Sequence, residues 1–576
     1  MKKTLLFSLF LLGNLFYPDI SNAQLGWQWG RGSSYTSFNE FAIAVDTSGN
    51  VFTGGETGFG YELAVIKTDP LGNYQWTITA SVSTKDAVAT GMVCDNTGDL
   101  YILGVYNDTM CVVMGDTLRN PTNYAMYFLL KCSSATGSIL WVKNVANSVS
   151  DGAGSSGSLG KVGVDGWGNV YIAGQFDLKS ITIGATTLFN TDTSGNSSDI
   201  FIAKYTSAGV PVWAKSFGGI RAEYAAENIP FSFAVTWKGD IYISGKYGSP
   251  TLYIGTKMLT NAFYLVKANT YLAKFDNSGN AIWAQSFDSH IGINGLTTDA
   301  AENIFMTGYI DSTVAEVFGK DTIISSFLGT VIYAKYDLSG TEVWAKASGY
   351  KGDAGGQSIS LDYCGNLWIS GRIGSWPVVD TISFDGHLVT APIGSLGYPY
   401  YAVFLAKFDT SGNYKTSVCL PGGAGLGAQL SEISVDNKGD FYVAGNYYGT
   451  KMPFGSDTLS LPVGFQLLYI GKYKYDSINC NETVYIPLKI NTATDFSGII
   501  FYPNPATSEC TIKSDVPFPT GSKAELYDLA GRIINTYLLS GNSRIISLAG
   551  IAPGMYQCRI ITGNNNVVVK KLVVMK

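Results

Sequence analysis

Histidine is nearly missing from this chain: His290 and His387 are the only two in 576 residues. That scarcity excludes most histidine-based metal centres and leaves a Ser-His-Asp triad without a supported base. Charge is thin as well, at 14% Asp, Glu, Lys and Arg with a net of −6. No basic stripe exists, which excludes a nucleic-acid partner. Eight cysteines in a chain of this length cannot be a disulfide scaffold, and none has CxxC spacing. They either pair in an oxidising compartment or serve as small buried hydrophobes. Beyond the N-terminus no apolar run approaches the length of a membrane helix. Gly-x-Ser-x-Gly, HExxH and phosphate-loop motifs are missing, and no segment has helical periodicity.

What is there is aromatic and repetitive. Phe, Trp and Tyr make up 13% of the residues, and glycine occurs 67 times. One phrase recurs: Asp-x-x-Gly-Asn/Asp, apolar, aromatic, apolar, any residue, Gly. Its copies occupy 46–55, 95–104, 165–174, 236–245, 299–308, 362–371 and 436–445. Copy four places Thr236 where Asp is usual, and copy five replaces Gly with Glu302. A second phrase follows each: an apolar strand with Lys, a polar turn with Gly, and usually a strand with Trp. It is clearest at 201–213, 271–283 and 332–344, while 404–418 loses the Trp. Each repeat thus offers four short alternating strands. The Asp caps its own turn, the Trp packs between repeats, and the Lys is read as a solvated strand residue.

Seven such units, with no helices between them, predict a seven-bladed β-propeller over 24–476 rather than a linear solenoid. The ends carry the argument. The seventh repeat stops at 467–476 without its fourth strand, and Trp27–Gly30 is an orphan strand that resembles it. Pairing the two closes the ring and removes open sheet edges. In each repeat after the first, a hairpin with Gly and often Asp-Thr-Leu/Ile separates the second and third strands, and it projects where recognition is expected.

The phrase at 46–55 and its copies resembles the bacterial propeller repeat family called SBBP, over about residues 40–476. That resemblance implies a fold and no shared activity. After a transition at 477–499, residues 500–576 contain Tyr502-Pro503-Asn504-Pro505, Tyr527-Asp528-Leu529-Ala530-Gly531-Arg532 and the basic apolar end Val567–Lys576. Together these are similar to the type A C-terminal sorting domain of the type IX secretion system. The resemblance implies a partner in the outer-membrane export machinery of a Gram-negative bacterium, and a chain secreted or displayed on the surface; a monomer is expected. Bottom-up, the same segment predicts a small antiparallel β-sandwich. It carries eight basic residues against four acidic ones, which leaves the rest of the mature chain acidic. At the N-terminus, Lys2, Lys3 and the apolar run 5–16 read as a signal peptide over 1–23, cleaved between Ala23 and Gln24.

Candidates for chemistry are few. No catalytic, cofactor-binding or metal-ligating residue is assigned. Asp288 and Asp353 are loop carboxylates that could pair across the ring mouth for glycosidic chemistry. The phrase 134–141 resembles the tryptophan-docking motif of quinoprotein dehydrogenases, without their vicinal Cys pair. Asp-Thr phrases such as Asp108-Thr109-Met110 resemble a bacterial O-glycosylation acceptor, or are plain hairpin chemistry. The leading expectation is a surface binding or adhesion module for glycan or protein ligands. The alternatives are an extracellular enzyme, polysaccharide-degrading or quinoprotein, and a purely structural surface protein.

Overall fold

The computed structural model describes residues 26–574, apart from 33–40, 58–61, 84–86, 96, 123, 148–159, 193–196, 221–231, 265–266, 326–328, 350–353, 363–364, 375–380, 391–401, 421–426, 437–438, 449–450, 455–456, 461–465, 475–498, 505, 528–532, 553 and 562–566. The leader and its Ala23–Gln24 junction, Asp353, Cys364 and Cys480 lie outside the described residues.

Described residues 26–474 are all β, and each repeat folds into one antiparallel sheet. Sheet 1 holds Phe41–Val45, Val51–Thr57, Glu62–Thr68 and Tyr74–Val82 in that order. Sheet 2 begins at Ala87–Cys94, sheet 3 at Lys161–Val164, sheet 4 at Ser232–Val235, sheet 5 at Ile291–Thr298, sheet 6 at Ala354–Leu361 and sheet 7 at Gly427–Val435. In every sheet the strands follow chain order outward, except that the outermost strand of sheet 7 is Gly26–Gly32. It pairs with Gln466–Lys474, placing Trp29 opposite Lys472 and Gly30 opposite Gly471. The first strand of each sheet touches the first strand of the next, and that of sheet 7 touches that of sheet 1. The arrangement is therefore propeller-like, and its first and last segments share a sheet.

The core lies between sheets. Phe52, Val65, Ile102 and Phe128 interlock sheets 1 and 2. Trp29, Ile43, Val51, Tyr442 and Ile470 do the same for sheets 7 and 1. Alternation along each strand sends one set of side chains to each neighbour, so the strands read as nearly continuous apolar runs.

A tryptophan clips successive sheets together. On the fourth strand, Trp76 Nε1 donates to Ser134 O of the next sheet at 3.1 Å, and Trp213 to Asn277 O at 3.2 Å. Trp141, Trp283 and Trp344 repeat the bond, and Trp29 of sheet 7 completes it onto Pro70 O of sheet 1 at 3.0 Å. Each indole lies on the turn glycine of its neighbour. A Cβ on Gly279, at φ +74, would sit 2.8 Å from Trp213. Two residues past the Trp, a long polar side chain reaches the same turn: Lys143 Nζ to Gly209 O at 2.8 Å and Lys346 Nζ to Gly412 O at 2.8 Å.

Hairpins separate strands two and three in sheets 2 to 7. Their inner faces are packed: Ile181, Ile254, Phe318, Phe384 and Phe454 are buried. The hairpin Met110–Val113 with Asp116–Arg119 joins the outer strand of sheet 1, pairing Ala80 with Val113. These insertions cover sheet edges.

Residues 499–574 form a three-stranded and a four-stranded antiparallel sheet around one core of Cys510, Ile512, Leu526, Ile546, Cys558 and Leu572. The six described cysteines are free thiols.

Candidate functional site

Each first strand ends at the repeat Asp, so the Asp turns gather at one end of the ring. Asp46 Oδ1 accepts from the amides of Ser48 at 2.8 Å and Asn50 at 3.0 Å, and Asn50 Nδ2 donates to Oδ2 at 2.6 Å. Asp165 and Asp299 are held the same way by Asn169 and Asn303. In the fourth copy, Thr236 Oγ1 takes over, accepting from Asp240 N at 3.0 Å. The capping reading holds, and the Glu302 departure is absorbed by a left-handed backbone at φ 64.

The solvated-lysine reading is overturned. Lys67, Lys131, Lys274, Lys407 and Lys472 are buried. Lys407 Nζ sits 2.9 Å from Asp362, Lys472 is 2.8 Å from Asp440, and Lys131 bridges Asp95 and Asp99 at 3.2 and 3.0 Å. Beneath the ammonium lies the aromatic of the second strand: Tyr101 at 4.8 Å from Lys131, Phe305 at 4.8 Å from Lys335, and Trp368 at 5.3 Å from Lys407. Two phrases treated as separate thus meet as one carboxylate–ammonium–aromatic stack in each of sheets 2 to 7, while Lys67 of sheet 1 lies over Phe52 and donates to Ser134 O at 2.7 Å. Periodicity alone could not reveal it, because the Lys occupies a position that alternation assigns to either face.

At this end, sheets 1, 5, 6 and 7 enclose a recess of about 290 Å³. Val45, Leu361 and Val435 line its wall, Thr47, Thr297, Thr298 and Ser360 contribute hydroxyls, and Asp46, Asp299, Asp362 and Asp436 contribute acidic edges. The carboxylates converge but are already engaged. Asp362 accepts from Asn366 and Lys407, and Asp436 from Asp440 N at 2.9 Å and Tyr442 Oη at 3.1 Å. Burial, then the Asp436 and Asp440 charges, raise the Tyr442 phenol far above its ordinary value, so it remains a donor. Such a surface offers hydroxyls and fixed acceptors for hydrogen bonding. Among the described residues no group of His, Cys, Asp and Glu could hold a metal ion.

The opposite end carries a titratable cluster. His290 Nδ1 lies 3.1 Å from Asp311 Oδ1, and its Nε2 lies 2.9 Å from Lys267 Nζ. An ammonium only donates, so Nε2 accepts and Nδ1–H faces Asp311. Burial, then Asp288, raises the Glu316 carboxyl above the usual range. Burial lowers the Lys246 ammonium, which lies 6.0 Å over Tyr309. Asp288 therefore stands beside this cluster, bonded to Ser289, rather than at the recess. His387 opens the hairpin strand His387–Thr390, just past the turn, and is stacked on Tyr414 with ring centroids 4.4 Å apart. Asp108 accepts from Ser83 and Thr109, which is hairpin chemistry, while Thr109 is exposed. Nothing in the sequence marked Lys246, Asp311 or Glu316, since Lys246 lies on the second strand of sheet 4 while Asp311 and Glu316 follow the second strand of sheet 5.

Residues 500–575 match the family described as secretion system C-terminal sorting domain. The chain carries a type IX secretion sorting domain. That domain implies export to the cell surface or the medium, and contact with the secretion machinery. No helix among the described residues is long and apolar enough to cross a membrane. A WD repeat-containing protein of Acanthamoeba polyphaga mimivirus, itself uncharacterised, is 24% identical over 407 residues; the match takes in 62% of this chain and 29% of that protein. Among solved structures, the WD40 domain of Toxoplasma gondii coronin is 11% identical with a TM-score of 0.30, over 80% of this chain and 90% of that one. PorZ, a surface component of the type IX system of Porphyromonas gingivalis, is 10% identical with a TM-score of 0.20, over 94% and 93%.

Proposed function

We propose that the chain is an exported SBBP-type seven-bladed β-propeller over 24–476, joined through 477–499 to its sorting domain, and that it binds a ligand at the turn-lined mouth of the ring. The reading rests on the recess shared by sheets 1, 5, 6 and 7, where Thr47, Thr297, Thr298 and Ser360 hydroxyls surround acceptors that are already fixed by their own turns. Preformed concave sites with few oriented polar groups suit recognition. The four aspartates are consumed by amide and ammonium donors, which favours binding over acid–base catalysis. A leader cleaved between Ala23 and Gln24 starts the export route.

The test is direct. Full-length mature protein is applied to an array of glycans and extracellular proteins, beside Thr298→Lys and Ser360→Lys, which fill the recess. Binding lost in both variants, with the thermal melt retained, supports the site. Binding unchanged in both refutes it. Export is tested separately by deleting 500–576; the truncated chain is expected to stay in the cell envelope, and its normal arrival in the medium would refute the sorting role.

A further inference from the structure

Of the described tryptophans, Trp29, Trp76, Trp141, Trp213, Trp283 and Trp344 dock on a neighbouring turn. Trp27 and Trp368 pack against Phe454, Phe441 and Tyr473 in the sheet 6–7 core. Trp167 does neither, and Trp237 is half-buried with its ring over Gly166 of the Asp turn of sheet 3. Trp167 is 62% exposed on the Asp turn of sheet 3. Trp237 sits on the equivalent turn of sheet 4, with ring centroids 6.5 Å apart and planes at 42°. Both turns belong to the same end of the ring as the recess.

The pair is held firmly. The Trp167 amide donates to Asp165 Oδ1 at 2.9 Å, and Gly166 N donates to Trp237 O at 2.9 Å. A Cβ on Gly166 would fall 2.2 Å from the Trp237 ring. At the position Gly166 occupies, other repeats carry Thr47, Asn96 and Ala300; here the side chain is gone and an indole lies in its place. One residue past Trp237, the exposed Lys238 forms a 2.8 Å ion pair with Glu302 of sheet 5, which puts donors and acceptors on the same end of the ring. An indole left in water forgoes the stabilisation of burial, and a rigid aromatic face next to polar groups suits a ring with one apolar C–H face and equatorial hydroxyls.

We infer that Trp167 and Trp237 form a stacking platform for a hexopyranose unit of a neutral polysaccharide. The inference rests on the turn-face binding reading and adds the ligand's chemistry. On the turns that carry the pair, Asp165 is matched by Lys204 and Lys238 by Glu302, so among the described residues there no unmatched cation is offered to a uronate or sulfated chain.

The experiment is affinity electrophoresis of the full-length mature protein in native gels cast with laminarin, xylan, galactomannan, dextran or alginate. At least one neutral polymer is expected to retard the protein. Trp167→Ala is expected to weaken that retardation about tenfold with an unchanged thermal melt, and Trp167→Phe to restore part of it. Retardation of Trp167→Ala equal to wild type overturns the platform, as does retention by alginate alone or by none of the five. If Trp167→Ala binds as wild type while Thr298→Lys does not, the platform falls and the recess survives. If neither variant alters retention, both readings fall.

Discussion

Lys407 and Asp362 show what the repeat asks of single residues. Their side chains are 4% and 0% exposed at 2.9 Å. Two desolvated charges of opposite sign tolerate each other, but removing one leaves the other uncompensated. Lys407→Met is expected to destabilise the protein by about 3–5 kcal/mol, whereas the double variant Lys407→Met with Asp362→Asn recovers part of the loss. Urea denaturation of the three proteins checks this; equal losses in the single and double variants would reject the coupling. Partly exposed turn carboxylates behave differently. The Ser339 hydroxyl, with the amides of Thr341 and Ser339, holds Asp337 below its ordinary value of 3.8. A depressed carboxylate contributes stability above its unfolded pKa and loses it as pH falls through the native one. Thermal melts from about pH 5 to pH 2 are therefore expected to fall less steeply in Asp337→Asn than in the native protein.

At the scale of the element, the Trp strand and the turn it docks on are one device split across two sheets. Gly279 must be glycine twice over, once for its φ of +74 and once because the Trp213 ring occupies the space of a Cβ. Gly279→Ala is expected to cost more than Gly541→Ala, since Gly541 has φ +63 but nothing within 4 Å. Melting temperatures rank the two, and an equal drop would mean that backbone strain alone matters. The same device explains the lost tryptophan of the sixth repeat. Thr416 stands opposite Lys407, where other repeats place Trp. The acceptor would be the turn joining the third and fourth strands of sheet 7, but that fourth strand is Gly26–Gly32, from the other end of the chain, so no hairpin joins the two. Thr416→Trp is accordingly expected to give no increase in melting temperature. Much of this was legible in the sequence, because the Asp-turn phrase and the Trp strand are local and periodic. The Lys–Asp–aromatic stack was not, because its members sit on three strands. The Trp167–Trp237 pair was hidden for another reason: it breaks the repeat at non-consensus positions, where a periodic reading is blind.

For the whole molecule, stability turns on how a linear array becomes a ring. Stacked repeats support each other only through neighbours, so an open array frays from both ends. Gly26–Gly32 removes both ends at once by completing sheet 7 and sending Trp29 across to Pro70 and Gly72 of sheet 1. Trp29 is 4% exposed, and Trp29→Ala is expected to cost about 3–5 kcal/mol. Deleting 24–32 goes further, since it bares the Gln466–Lys474 edge as a template for another chain. The truncated protein is expected to melt lower and to form concentration-dependent oligomers in light scattering. A synthetic peptide of residues 24–32 added in trans is expected to restore the monomer, because it supplies the missing strand without its covalent link. If the truncated chain stays monomeric with a native melt, the inter-sheet cores alone hold the ring, and the terminal strand is an ornament of the sequence rather than its clasp.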